Sequence, residues 1–207
     1  MNDCADATAA PAPLLVIISG PSGVGKDATL KRMQARGAPF HFLVTTTTRP
    51  RRPTEVEGVD YYFVTPDEFQ ARLTRGDFLE HANVYGNWYG NARSDIEHAL
   101  AQGKDVLMRI DVQGATTLHA RVENAIFIFL TASLSELEAR LRARGTETEE
   151  TLQRRLGTAA REIQARAFFD YCLNNSENQL DETVDDIVAI IRAEKLRAKP
   201  RRIWFRN

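Results

Sequence analysis

With 207 residues, 43% of them hydrophobic and 27% charged, the chain has the make-up of a soluble globular domain long enough to bury a core. A net charge of −1 argues against a nucleic-acid polymer as partner, since surfaces that bind one are clearly basic. Two cysteines are too few for a disulfide framework and point to a reducing, cytoplasmic setting, and no apolar run reaches the length of a membrane span.

Residues 1–13, rich in alanine with Pro11 and Pro13, read as a disordered lead-in without a basic-then-apolar leader pattern. Leu14–Ile18 is a continuous apolar run of the kind a strand buried on both faces shows. The glycine-rich stretch Gly20, Pro21, Ser22, Gly23, Val24, Gly25, Lys26, Asp27 follows, and then a helical pattern to about Arg36, stopped at Gly37. Strand, glycine loop, lysine and helix in that order form a phosphate cradle. Glycines let backbone N–H groups approach an anion, the helix N-terminus adds positive potential, and Lys26 would reach the β- and γ-phosphates of a nucleotide. Asp27 stands where a hydroxyl residue normally meets Mg²⁺. Its carboxylate could hold the ion directly or through water, and could equally repel the phosphates.

Phe40–Val44 reads as a second strand. A polar segment from Thr45 to Asp60 then carries Arg49, Arg51 and Arg52 together with Pro50 and Pro53, which present the arginines on a stiffened loop suited to bidentate phosphate contact. Tyr61–Val64 is strand-like, Pro66 opens a short helix with Phe69 and Leu73 four apart, and an extended piece runs from Phe78 to Asn91. Residues 45–91 therefore read as a small mixed insert. Asp95–Ala101 is helical, ended by Gly103.

Asp105–Asp111 is a strand whose last residue lies at its carboxyl end, the edge where open parallel sheets bind ligands. Ala125–Leu130 is another buried strand. Ser133 and Glu136 form a capping box for a helix with Leu134, Leu137 and Leu141 on its apolar face. Arg140, Arg142 and Arg144 precede Gly145, and Thr146 with Glu149 reads as a second capping box. Tyr171–Leu173 is a short strand, Leu180, Val184, Ile187 and Ile191 mark a closing helix, and a basic tail follows that reads as a solvated extension. His41, His81, His98 and His119 lack metal-ligand spacing, so no zinc site is expected. Alternating strands and helices around a glycine loop predict an α/β fold with a parallel sheet flanked by helices.

By its motifs the chain resembles the guanylate kinases from about Leu14 to Lys195. The likeness rests on GPSGVGKD at 20–27, TTTTRPRRP at 45–53, GVDYYFV at 58–64, FLEHANVYGNWYG at 78–90, IDVQG at 110–114 and RLRARGTETEE at 140–150. The resemblance implies a P-loop nucleoside monophosphate kinase fold with core 14–44, 92–139 and 156–195, a monophosphate-binding insert 45–91, a helical lid 140–155 and a tail 196–207. The implied reaction is ATP-dependent phosphorylation of GMP, with dGMP as a second acceptor, assisted by Mg²⁺ in purine nucleotide metabolism.

Residue by residue, the resemblance assigns the loop Gly20–Asp27, together with Asn175, to ATP. It assigns Arg49, Arg52, Tyr61 and Tyr89 to the acceptor phosphate, and Glu80, with Thr45, Asn91 and Asp111, to the base. Arg140, Arg144 and Arg155 would belong to the lid, joining Lys26 and Arg49 as catalytic groups; Asp27 is the candidate metal ligand. Guanine presents two adjacent donors, which one carboxylate can accept together, whereas adenine offers an acceptor and would leave Glu80 unpaired. No nucleophilic side chain is expected.

Three positions depart from the family pattern: Asp27, Arg109 in place of an acidic residue, and Asn91 in place of serine or threonine, whose amide can still donate to guanine O6. Two other readings carry weight. Ribose 1,5-bisphosphate phosphokinases share Gly-Lys-Asp in the loop but lack the paired arginines and the base-reading glutamate. Non-catalytic guanylate-kinase-like domains have degraded phosphate loops, whereas Lys26 is kept here. Monomer and homo-oligomer are both open.

Overall fold

The computed structural model describes residues 11–143 and 148–206. Most of the expected lead-in, residues 1–10, therefore lies outside the described residues, as does Arg144.

Strand β1 (Leu15–Ser19) is buried along its whole length. It lies in the middle of a five-stranded sheet with β2 (His41–Phe42), β7 (Val106–Arg109), β9 (Ile126–Thr131) and β10 (Tyr171–Asn174), in the order β10-β9-β1-β7-β2, every pair parallel. The pleat sends alternate side chains of β1 to opposite faces. Val16 and Ile18 pack with Leu30 and Met33 of α1 (Lys26–Ala35) and with Val184, Ile187 and Ile191 of α7 (Leu180–Lys195). Leu15 and Ile17 pack with Ile96 and Ala99 of α3 (Arg93–Ala101) and with Ala115 and Leu118 of α4 (Val112–Arg121). Both faces of the sheet are thus covered, which is why its strands read as unbroken apolar runs rather than alternating ones.

A second sheet, of four strands in the order β4-β3-β6-β5, is built from β3 (Thr45–Thr47), β4 (Tyr61–Phe63), β5 (Phe78–Val84) and β6 (Asn87–Ala92). Helix α2 (Pro66–Thr74), with a full Thr65–Glu68 capping box, sits between β4 and β5. Thr45–Thr47 read from sequence as part of a polar loop. It is instead a buried strand, parallel to β4 and antiparallel to β6. Threonine is β-branched and suits a pleated surface, and neighbouring side chains and backbone take up its hydroxyl.

Helix α4 was not expected from the sequence. Asp111 caps it, its side chain accepting from the Gly114 N–H at 2.9 Å. Helix α5 (Leu134–Ala143) starts at the expected box, with the Ser133 N–H donating to Glu136 at 3.0 Å. Helix α6 (Glu149–Gln164) is capped by Thr148, two residues later than the box expected at Thr146, which is outside the described residues.

The basic tail is not a solvated extension. Two-residue strands β8 (Val122–Glu123) and β11 (Trp204–Phe205) pair antiparallel. Arg201 pairs at 2.8 Å with Glu194, which is 2% exposed and also accepts from the Tyr171 hydroxyl at 2.6 Å. A buried carboxylate must be paired, and the tail supplies the cation.

Candidate active site

The carboxyl ends of β1, β7 and β9 share one edge of the parallel sheet, and there the chain turns into the phosphate loop and into α4. Residues of the second sheet close the other side of the same cleft. Gly20–Asp27, Thr45, Arg49, Arg52, Tyr61, Glu80, Tyr89, Asn91, Asp111 and Arg155 all line it. Of the residues proposed from sequence, Arg140 and Asn175 do not, and Arg144 is not among the described residues.

Arg140 and Asn175 stand behind the loop instead. The Asn175 side chain, in a residue 4% exposed, donates to the Val24 carbonyl at 2.6 Å and accepts from Thr183 at 3.0 Å. Arg140 donates to the same Val24 carbonyl at 3.1 Å and to the Asn175 carbonyl at 2.8 Å. Gly25 must be glycine here: its φ is +102°, and an added Cβ would lie 2.6 Å from Asn175 Nδ2. The two side chains brace the loop from its far side. Lys26 lies over the loop, donating to the carbonyls of Gly20 and Pro21.

On the opposite wall, Glu55 organises the arginine cluster. It is 7% exposed; Oε1 accepts from Arg49 at 2.8 Å and Oε2 from the Arg52 N–H at 2.8 Å. The Arg49 guanidinium lies 5.3 Å from the centre of the Tyr61 ring, and the Tyr61 and Tyr89 rings meet edge to face at 6.2 Å. Burial, with Asp27 adding to it, pushes the Tyr61 hydroxyl up to about 12. It is therefore a neutral donor at physiological pH.

Glu80 is 1% exposed. Asn91 links it to Thr45: the amide donates to Glu80 Oε2 at 2.9 Å and its carbonyl accepts from the Thr45 hydroxyl at 2.9 Å. Burial first, then the nearby Asp111 charge, pushes the Glu80 carboxyl up to about 8, with Asn91 and Arg121 pulling the other way. One N–H of Asn91 is thus committed to Glu80, leaving its second for a ligand.

The structure also brings in residues not singled out from sequence. Tyr85 (φ +51°) has its ring 4.8 Å from the Arg155 guanidinium, and Arg155 reaches the Ser22 hydroxyl at 3.5 Å. Glu162 lies two turns after Arg155 on α6 and lines the cleft, with Oε2 buried and without a hydrogen bond among the described residues. Burial pushes its carboxyl up, while the Lys26 charge pulls it down. The seven-residue spacing from Arg155 is the signal that would have found it. Arg109 also lines the cleft and pairs with Asp27, Nε to Oδ1 3.0 Å.

Among the described residues no group of three or more histidine, cysteine, aspartate or glutamate side chains converges on a metal position. A nucleotide-borne Mg²⁺ needs only one or two carboxylates beside phosphates and water. Asp27, 40% exposed at the loop, is paired with Arg109 through Oδ1 and could meet that need through its other carboxylate oxygen. No helix among the described residues is long and apolar enough to cross a membrane.

A family model described as guanylate kinase matches residues 13–194. The chain is 45% identical over 195 residues to guanylate kinase 2, chloroplastic/mitochondrial, of Oryza sativa subsp. japonica, covering 93% of this chain and 68% of that one. It is 42% identical over 188 residues to the guanylate kinase of Symbiobacterium thermophilum, covering 90% and 88%. The crystal structure of guanylate kinase from Anaplasma phagocytophilum superposes with a TM-score of 0.74 at 32% identity, covering 91% of this chain and 89% of that one. The chain belongs to the guanylate kinase family.

Proposed function

We propose that the chain transfers the γ-phosphoryl group of ATP to the phosphate of GMP, and of dGMP, giving ADP and the nucleoside diphosphate. The observation that carries this reading is the meeting, in one cleft, of a phosphate loop with a carboxyl that is 1% exposed and held by Asn91, on a wall rich in arginine and tyrosine. A buried carboxylate aimed at a base selects the one with two adjacent donors, since adenine would leave it unpaired.

In this reading the loop N–H groups and Lys26 hold the donor phosphates, while Arg49, Arg52, Tyr61 and Tyr89 hold the acceptor phosphate in line with the γ-phosphorus. An acceptor-phosphate oxygen forms the new P–O bond as the bond to the β–γ bridging oxygen breaks, and ADP leaves with that electron pair. The step needs positioning and charge neutralisation rather than a covalent intermediate. Asp27 would hold the Mg²⁺ that accompanies the ATP phosphates, and the ion would contribute further neutralisation there. Arg155, bound to the loop through Ser22, adds positive charge beside the transferring group, and residues 140–155 would form a lid that excludes water. Residues 45–91 would be the acceptor-binding insert.

The two rival readings are not favoured. The relatives matched over most of the chain are guanylate kinases, and the phosphate loop with Lys26 is intact. A cytoplasmic location belongs to this proposal and suits the free, exposed Cys172. Calorimetric titration of GMP and AMP into the wild type and Glu80→Gln tests the reading. GMP should bind the wild type at least tenfold more tightly than AMP and lose most of that margin in the variant. Equal binding of both nucleotides by the wild type would overturn it.

A further inference from the structure

Asp27 and Arg109, on separate elements that both line the cleft, meet each other. Arg109 ends β7 with a side chain only 9% exposed, and its Nε lies 3.0 Å from Oδ1 of Asp27, the residue after Lys26 in the phosphate loop. The same guanidinium lies 4.4 Å from the centre of the Tyr61 ring and donates through Nη2 to the Asp60 carbonyl. One turn along α1 from Asp27, Lys31 pairs with the Asp60 carboxylate at 2.6 Å, and that carboxylate also accepts from the Val56 N–H at 2.8 Å. One face of the phosphate-loop helix is therefore joined, directly and through Arg109, to Asp60 and Tyr61 in the acceptor half of the cleft.

Charge explains why the two residues belong together. A carboxylate in the first turn of α1 competes with nucleotide phosphates for the positive end of that helix and repels them. A guanidinium on the same carboxylate removes most of that repulsion locally, while its own planar face stays free to stack on an aromatic ring.

We propose that Arg109 is a positioning residue acting as one unit with Asp27: it balances the Asp27 carboxylate at the phosphate loop and fixes the Tyr61 ring in the acceptor half. This rests on the kinase reading only for the identity of the acceptor; the balance at the loop concerns any nucleoside diphosphate. The unit replaces the hydroxyl residue of the usual loop with a neutral ion pair, and so ties the donor and acceptor halves by a link that a hydroxyl could not make.

A double-mutant cycle of Asp27→Ser and Arg109→Gln, read by binding of metal-free ADP and by kcat and KM for GMP, tests it. Arg109→Gln leaves the carboxylate unbalanced and should weaken metal-free ADP binding at least tenfold. The double variant should return to within about threefold of the wild type, because the offending charge is gone. KM for GMP should stay raised in both variants, since neither restores the contact with Tyr61. A purely structural Arg109 would give no such rescue. Asp27→Ser with the same effect on ADP binding in both backgrounds, or unchanged ADP binding in Arg109→Gln, would overturn the proposal. Should Arg109→Gln fail to fold, Asp27→Asn alone decides: it leaves the Arg109 charge uncompensated and should tighten metal-free ADP binding several-fold, and unchanged or weaker binding overturns the unit. Because ADP binding needs no acceptor, a failure of the GMP reading would appear as lost turnover in the wild type with the cycle intact.

Discussion

Gly114 and Glu80 are in contact across the base side of the cleft: a Cβ added at Gly114 would stand 2.2 Å from Glu80 Oε1. Position 114 is in the first turn of α4, directly behind the carboxyl, so glycine there makes room for Glu80 rather than supplying an unusual backbone angle. Gly114→Ala should displace Glu80 and raise KM for GMP at least tenfold, with KM for ATP changed less than twofold. Steady-state kinetics on each substrate in turn checks this, and equal rises in both constants would contradict it.

The Glu80 carboxyl, pushed up to about 8 by burial and Asp111, makes recognition pH-dependent. Only the ionised form accepts both guanine donors, so GMP binding at pH 7 should release a proton, and affinity should rise from pH 6 to 8 and level off above. Calorimetry in buffers of different ionisation enthalpy reads the released proton. Stability carries the complementary sign. A carboxyl raised in the folded state favours folding below its unfolded value of about 4.3, and that advantage is lost as pH rises through about 8. The melting temperature of Glu80→Gln should therefore gain on that of the wild type between pH 5 and 8.5.

Glu55 separates positioning from simple attraction. Removing its charge by Glu55→Gln makes the arginine cluster more positive, and attraction alone would then tighten GMP binding. Glu55 also holds the Arg49 guanidinium and the Arg52 backbone, and losing that fork costs defined geometry. Weaker GMP binding, by roughly ten- to a hundredfold, is expected because each charged hydrogen bond is worth about 1.5–3 kcal/mol. Isothermal titration at two salt concentrations distinguishes the two effects.

Asn175 touches the phosphate loop and none of the described residues on the base side of the cleft. Asn175→Ala removes the 2.6 Å donor to the Val24 carbonyl, which keeps Arg140 at 3.1 Å, and should cost about 0.5–1.5 kcal/mol in stability. KM for ATP should rise about tenfold or less with KM for GMP unchanged, as product-release assays with each substrate varied would show.

The core strands were legible because burial on both faces writes them as apolar runs, and the phosphate loop because its glycines and lysine are consecutive. Most cleft residues fell in contiguous motifs and could be named for the same reason. Thr45–Thr47 was hidden because a buried polar strand looks like a loop until its partners are known. Glu55 and Glu162 were hidden because their importance depends on what they face: the first meets two arginines through a tight turn, the second aligns with Arg155 only on a helix. The tail's packing was hidden since its cations have carboxylate partners far away in sequence, Arg201 with Asp170 and Arg206 with Glu123. Arg140 and Asn175 stand behind the loop and not in the cleft, a distinction that sequence spacing does not encode. The Asp27–Arg109 pair was visible only as two separate oddities.

The most direct measurement is ADP release from Mg-ATP with GMP, AMP or ribose 1,5-bisphosphate offered as acceptor, in the wild type and in Lys26→Ala. Release should be fast with GMP, at least a hundredfold slower with the other two, and slower by orders of magnitude in Lys26→Ala. Release that is fastest with the sugar bisphosphate, or equal with GMP and AMP, would contradict the proposed reaction.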